Sequence, residues 1–119
     1  MFKKSMRHAL DGIIFTFKSE RNFRIHLIVY LFMVILSFYL DISILEWLFL
    51  HLVSALVIIS EIFNTAIEKT LDWLEPNHHD VVKVVKDICA GGVLISAITA
   101  VIIGLIIFVP HIIQLFFNS

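Results

Sequence analysis

Three long apolar runs, separated by short polar stretches, organise this chain. They cover about residues 23–40, 47–68 and 87–109. A membrane-crossing helix needs about 20 residues, within a range of about 17–25, so each run predicts one span. The first, "FRIHLIVYLFMVILSFYL", is at the short end and must tilt little or begin among the headgroups. The third is expected to stop at Pro110. Ahead of them, Phe2, Met6, Leu10, Ile13 and Phe17 recur at helical spacing. Lys3, Lys4, Arg7, Asp11 and Lys18 fall largely elsewhere on the wheel. That pattern predicts an amphipathic surface helix over about residues 2–20. The expected fold is an all-α integral membrane protein, one domain over residues 1–119, with three transmembrane helices and the surface helix.

The connections add orientation. "DISILE" joins the first two spans as a short acidic hairpin, and "KTLDWLEPNHHDVVKVVKD" joins the second and third. Pro76 there ends a helix, Asn77, His78 and His79 form a turn-like cluster, and Asp80 is the expected N-cap of the next helix. Lys3, Lys4, Arg7, Lys18, Arg21 and Arg24 precede the first span, and Lys69, Lys83 and Lys86 lie between the second and third; these are all nine basic residues. Three spans put both groups on one side. Positive residues collect in the cytoplasm, so the N-terminus is expected inside and the C-terminus outside the cell membrane.

Composition agrees. The chain is 60% hydrophobic with a mean hydropathy of +0.97, well beyond an ordinary soluble domain at about 45–50%. The net charge of −1 points to no nucleic-acid partner. The one cysteine, Cys89, is read as a small packing residue. No cleavable signal peptide is expected. Gly91 and Gly92, with Ala90, give the third span a small face suited to close helix packing. No phosphate-cradling glycine loop is present.

The feature that calls for chemistry is "SEIFNTAIEKTLD", Ser60 to Asp72. At 100° per residue, Asn64, Glu68 and Asp72 lie within about 60° of Glu61. A polar stripe on an apolar helix faces a protein interior or a wet site, because lipid does not tolerate it. Glu61 falls about 20 Å from the outer end of its span, and Glu68 about 10 Å further towards the cytoplasm. The stripe therefore connects water to the apolar layer, as a site for one polar and one lipidic reactant would. Shallow carboxylates suit Mg²⁺, which takes one or two of them along with substrate phosphates. A desolvated carboxylate deeper in suits proton abstraction. Glu20 lies at the same level, and Lys86 offers a point charge for phosphate. His26 and His51 read as interfacial or packing residues. His78 and His79 lack further ligands at zinc-like spacing.

"ERNFRIH", "EIFNTAIEKTLD" and "KDICAGGV" resemble the signatures of the prokaryotic diacylglycerol kinase family, whose Gram-positive branch is mainly undecaprenol kinases. The resemblance runs from about Lys4 to Pro110. It implies a homotrimeric membrane kinase, with sites shared between subunits, that moves the γ-phosphate of MgATP to a lipid hydroxyl. Carried over by position, it implies Glu61 as general base and Glu20 and Glu68 as Mg²⁺ ligands bridging to ATP. Asn64 would orient base or substrate, and Arg24 would support the substrate. Lys86, Asp87 and the Asn77, His78, His79 loop would contact the nucleotide. The expected acceptor is undecaprenol, favoured by the "PNHH" loop, with diacylglycerol as the alternative. Cys89 and Gly92 stand where the family often has alanine, a change of packing only. The extreme N-terminus departs most, so no ATP contact is carried onto Lys3, Lys4 or Arg7. Two other classes compete: a small ion-coupled transporter with Glu61 binding the cation, and a non-catalytic assembly protein. The stripe lies at one interface and not at the midplane, against a transporter site.

Overall fold

The computed structural model describes residues 1–118. Its helices are α1 (Phe2–Ser19), α2 (Arg21–Leu40), α3 (Ile44–Leu74) and α4 (Asp80–Phe117). The last three are each long and apolar enough to cross a membrane. The whole chain forms a slab of 59 × 39 × 21 Å, in which α4 packs mainly on α3 and α2 joins them less extensively.

Each junction has a local cause. Between α1 and α2, Glu20 alone is extended (φ −119°, ψ 114°). Arg24 on the first turn of α2 reaches back, donating from Nη1 to the carbonyls of Phe17 at 2.7 Å and Lys18 at 3.2 Å. Those carbonyls have lost their helical partners, so the guanidinium ties α1 to α2. Between α2 and α3, Asp41 turns left-handed (φ 52°). Ser43 then starts α3 with a capping box: the Glu46 N–H donates to Ser43 Oγ at 3.2 Å and the Ser43 N–H to Glu46 Oε1 at 3.0 Å. Between α3 and α4, the helix ends at Leu74, ahead of Pro76. The N-cap of α4 is His79 and not Asp80: His79 Nδ1 accepts from the Val81 N–H at 3.1 Å, and Asp80 becomes the first helical residue. An imidazole nitrogen there does the work of a carboxylate, and Asp80 still brings negative charge to the first turn.

Pro110 does not end the third span. α4 runs through it to Phe117. A proline costs a helix one backbone hydrogen bond, but here the continuation gains anchors. His111 Nε2 lies 3.1 and 3.2 Å from the two carboxylate oxygens of Glu46, and Ile112 packs on the core of Leu50, Ile107 and Phe108. The start of α3 and the end of α4 are thereby bolted together.

The small face at Ala90, Gly91 and Gly92 is not a contact within the chain. A Cβ at Gly91 or Gly92 would meet nothing within 4 Å. Close approach occurs instead at Gly104, where a Cβ would sit 3.1 Å from Met33 Cε of α2. Several hydroxyls on the spans are satisfied by their own helices: Ser37 Oγ donates to Met33 O at 2.6 Å and Ser96 Oγ to Gly92 O at 3.0 Å. That economy is what an environment without water requires.

Candidate functional site

The stripe on α3 forms one edge of a site near the α1–α2 and α3–α4 junctions. Glu61 is its deepest member, 4% exposed, with Thr65 beside it at 3%. His26 on α2 faces Glu61, with Nε2 3.3 Å from Glu61 Oε1. A buried carboxylate needs a partner, and His26 is the one within ion-pair distance among the described residues. The negative charges of Glu20 and Glu68 also reach Glu61.

Further along α3 the groups become wetter. Asn64 Nδ2 donates to Glu68 Oε1 over a long 3.4 Å. Glu20, at the bend between α1 and α2, lies 3.6 Å from Lys69 Nζ. One turn on, Asp72 Oδ1 accepts from Lys86 Nζ at 2.6 Å, which joins α3 to α4. The charges of Asp72 and Glu68 both bear on Lys86. Of the residues expected together, Asn64 and Glu68 share a hydrogen bond, while Glu20 pairs with Lys69, Lys86 with Asp72 and Glu61 with His26.

The remaining expected residues have local contacts. Asn77, His78 and His79 are exposed in the α3–α4 junction. His78 Nε2 lies 3.5 Å from Asp80 Oδ1, and His79 serves its own helix as cap. Asp87 pairs with Lys83 at 2.7 Å, one turn before it on α4. Arg24, expected to support the substrate, is committed to the α1 carbonyls. Its contact with the site is indirect, through the position it gives α1.

Two buried acceptors near Glu61, Asn64 Oδ1 and Thr65 Oγ1, have no protein partner. Leaving such groups unpaired costs about 1–3 kcal/mol each, which marks them as places where a ligand or water would bind. Among the described residues no three His, Cys, Asp or Glu side chains converge as a metal cage. A cation held by Glu20 and Glu68 would therefore need phosphate oxygens or water as its further ligands.

An apolar cleft of about 430 Å³ reaches this site from the membrane side. It runs between α2 and α4 from His26, past Tyr30, Met33 and Gly104, to Phe108 and Ile112. Ala97, Ala100 and Gly104 keep the α4 wall low. His26 lines this cleft and also contacts Glu61.

Sequence reasoning missed the contact of His26 with Glu61, reading His26 as an interfacial or packing residue. Its signal was a polar side chain inside an apolar run. Its partner is 35 positions away on another helix, and spacing along one helix cannot reveal that.

Comparison with known proteins completes the picture. The profile of the family described as prokaryotic diacylglycerol kinase matches residues 7–108. The chain is 40% identical over 109 residues to the undecaprenol kinase of Bacillus subtilis (strain 168), covering 92% of this chain and 89% of that protein. It is 36% identical over 112 residues to a diacylglycerol kinase of Synechocystis sp., covering 93% of this chain and 64% of that protein. It is 30% identical over 108 residues to the diacylglycerol kinase of Escherichia coli (strain K12), covering 91% and 88% respectively.

Proposed function

The chain belongs to the prokaryotic diacylglycerol kinase family and is a lipid kinase of the membrane; from that premise we propose that it phosphorylates undecaprenol with ATP as the donor. The observation that carries this is the meeting of an apolar cleft with a buried carboxylate at the end of a charged ladder. A lipid alcohol in the cleft would bring its hydroxyl to Glu61. The wet end of α3, about 10–16 Å away along the helix, would take the polyphosphate.

In this reading Glu61 takes the hydroxyl proton as the oxygen attacks the γ-phosphorus. Asn64, with its amide tied to Glu68 and its carbonyl free, orients the reacting groups. Glu20 and Glu68 would hold Mg²⁺ with the phosphates. Bound there, the ion neutralises charge that builds on the transferring group. Lys86 supplies a positive charge opposite Glu68, and Asp87 with Asn77, His78 and His79 borders the nucleotide. Arg24 acts by holding α1 against the site.

The basic residues at both junctions support a cytoplasmic location for this end, with the N-terminus inside and the C-terminus outside. α1 would lie along the membrane surface. Phe2, Met6, Leu10 and Phe17 are exposed in the chain, as residues meant for lipid would be. The reading for the whole molecule is a single kinase domain assembled as a homotrimer with shared sites, and the small face at Gly91 and Gly92, open within the chain, supports it.

Undecaprenol is preferred as acceptor because the 40% identical relative is an undecaprenol kinase. Diacylglycerol is the second reading, from the relatives at 36% and 30%. Transfer of radiolabelled γ-phosphate in mixed micelles containing both lipids decides between them. Undecaprenyl phosphate should dominate at equal acceptor concentration. Predominant phosphatidic acid would overturn the assignment.

A further inference from the structure

Each turnover of an alcohol kinase releases one proton. The O–H bond of the acceptor breaks, a new O–P bond forms, the bond from the γ-phosphorus to its bridging oxygen breaks, and ADP leaves. If Glu61 takes that proton, it must discharge it before the next cycle. The surroundings make this difficult. The Glu61 side chain is 5% exposed, and its neighbour Thr65 is buried too. A carboxylate in such a place has no direct contact with bulk water.

The possible outlets are few. Lys69 is paired with Glu20, Lys86 with Asp72 and Lys83 with Asp87, and Arg24 is held by carbonyls. Glu20 and Glu68 are the other charged groups acting on Glu61, and both are carboxylates assigned to the cation. α4 contributes no titratable side chain to the cleft, and the polar residues that line it are His26, Tyr30 and Ser54. Tyr30 is engaged with His51 Nδ1 at 2.8 Å. His26 stands apart: its Nε2 is 3.3 Å from Glu61 Oε1, and its side chain is 25% exposed. It therefore touches the buried carboxylate on one side and lines the open cleft on the other.

We propose that His26 is the proton outlet of Glu61, accepting at Nε2 the proton that Glu61 takes from the acceptor hydroxyl. The imidazolium then releases its Nδ1 proton to water that enters the cleft once the product has left, and a flip of the ring turns the nitrogen freed of its proton back towards Glu61 for the next cycle. This rests on Glu61 being the base. His26 acts through Glu61 and not on the lipid or on ATP. An imidazole suits the task because its charge changes within the physiological range, whereas an amide in its place could hold Glu61 but not carry a proton.

The test compares His26→Gln, His26→Ala and Glu61→Gln in the purified full chain in micelles, with MgATP and undecaprenol. Rapid quench separates the first turnover from the steady state. His26→Gln should keep the first turnover within about twofold while its steady-state kcat, like that of His26→Ala, falls tenfold or more, within the range of proton-transfer effects. KM for ATP and acceptor should hold. Added imidazole should raise kcat of His26→Ala and leave Glu61→Gln unchanged. Wild-type kcat in His26→Gln overturns the outlet, as does an equal loss of first and later turnovers. A fully active Glu61→Gln overturns the base reading instead, so the two failures are told apart.

Discussion

Glu61 and Glu68 are seven residues apart on one helix, yet their surroundings give them different chemistry. Glu61 is buried against His26 at the mouth of an apolar cleft, whereas Glu68 is half-exposed and shares a hydrogen bond with Asn64. A substitution that keeps shape and removes charge should therefore have different effects at the two positions. Glu61→Gln is expected to lower kcat by about 10²–10⁴-fold, the usual worth of a positioned base, with nucleotide affinity kept. Glu68→Gln is expected to raise the Mg²⁺ concentration needed for half-maximal rate, and excess Mg²⁺ should recover part of the loss. Titrating Mg²⁺ at fixed ATP for both variants checks this. An unchanged Mg²⁺ requirement in Glu68→Gln would remove Glu68 from the cation.

At the scale of the helices, two features carry separable predictions. Gly104 lets α4 approach Met33 of α2 while leaving the cleft open beside it. Gly104→Leu puts a side chain against Met33 and into the cleft. KM for the lipid should rise several-fold while KM for ATP holds, and equal changes in both would mean that the cleft is not the acceptor's path. Ser43→Ala removes the capping box of α3 at the opposite end. It should cost about 1 kcal/mol of stability, visible as a lower melting temperature in detergent, with both KM values unchanged. The helices themselves were legible from the sequence, because a run of some 20 apolar residues has few alternatives in water or lipid. The stripe was legible too, since its members share one helix. What stayed hidden depended on contacts between helices. Pro110 reads as a stop until His111 is seen against Glu46, and Asp80 reads as a cap until His79 is seen to take the Val81 N–H. His26 gains its meaning only when α2 is laid beside Glu61.

For the molecule as a whole, the question is what covers its surface. Most large apolar side chains are exposed, and only 11–22% of the apolar windows of the three spans is buried. Lipid can cover such surface without gain or loss, so association in a membrane depends on close packing of small residues instead. The chain spends one such residue, Gly104, on its own packing and leaves Gly91 and Gly92 open, one turn beyond Asp87. A homotrimer whose helices meet at this face would use it. Gly92→Leu tests this directly. Leucine favours a helix over glycine by roughly 0.8–1.0 kcal/mol and meets nothing within the chain, so helix content by circular dichroism should be kept or raised. The mass in detergent by light scattering should nevertheless shift from three chains towards one, and kinase activity should fall with it. A Gly92→Leu protein that stays trimeric and active would place the subunit contact on another face of the slab.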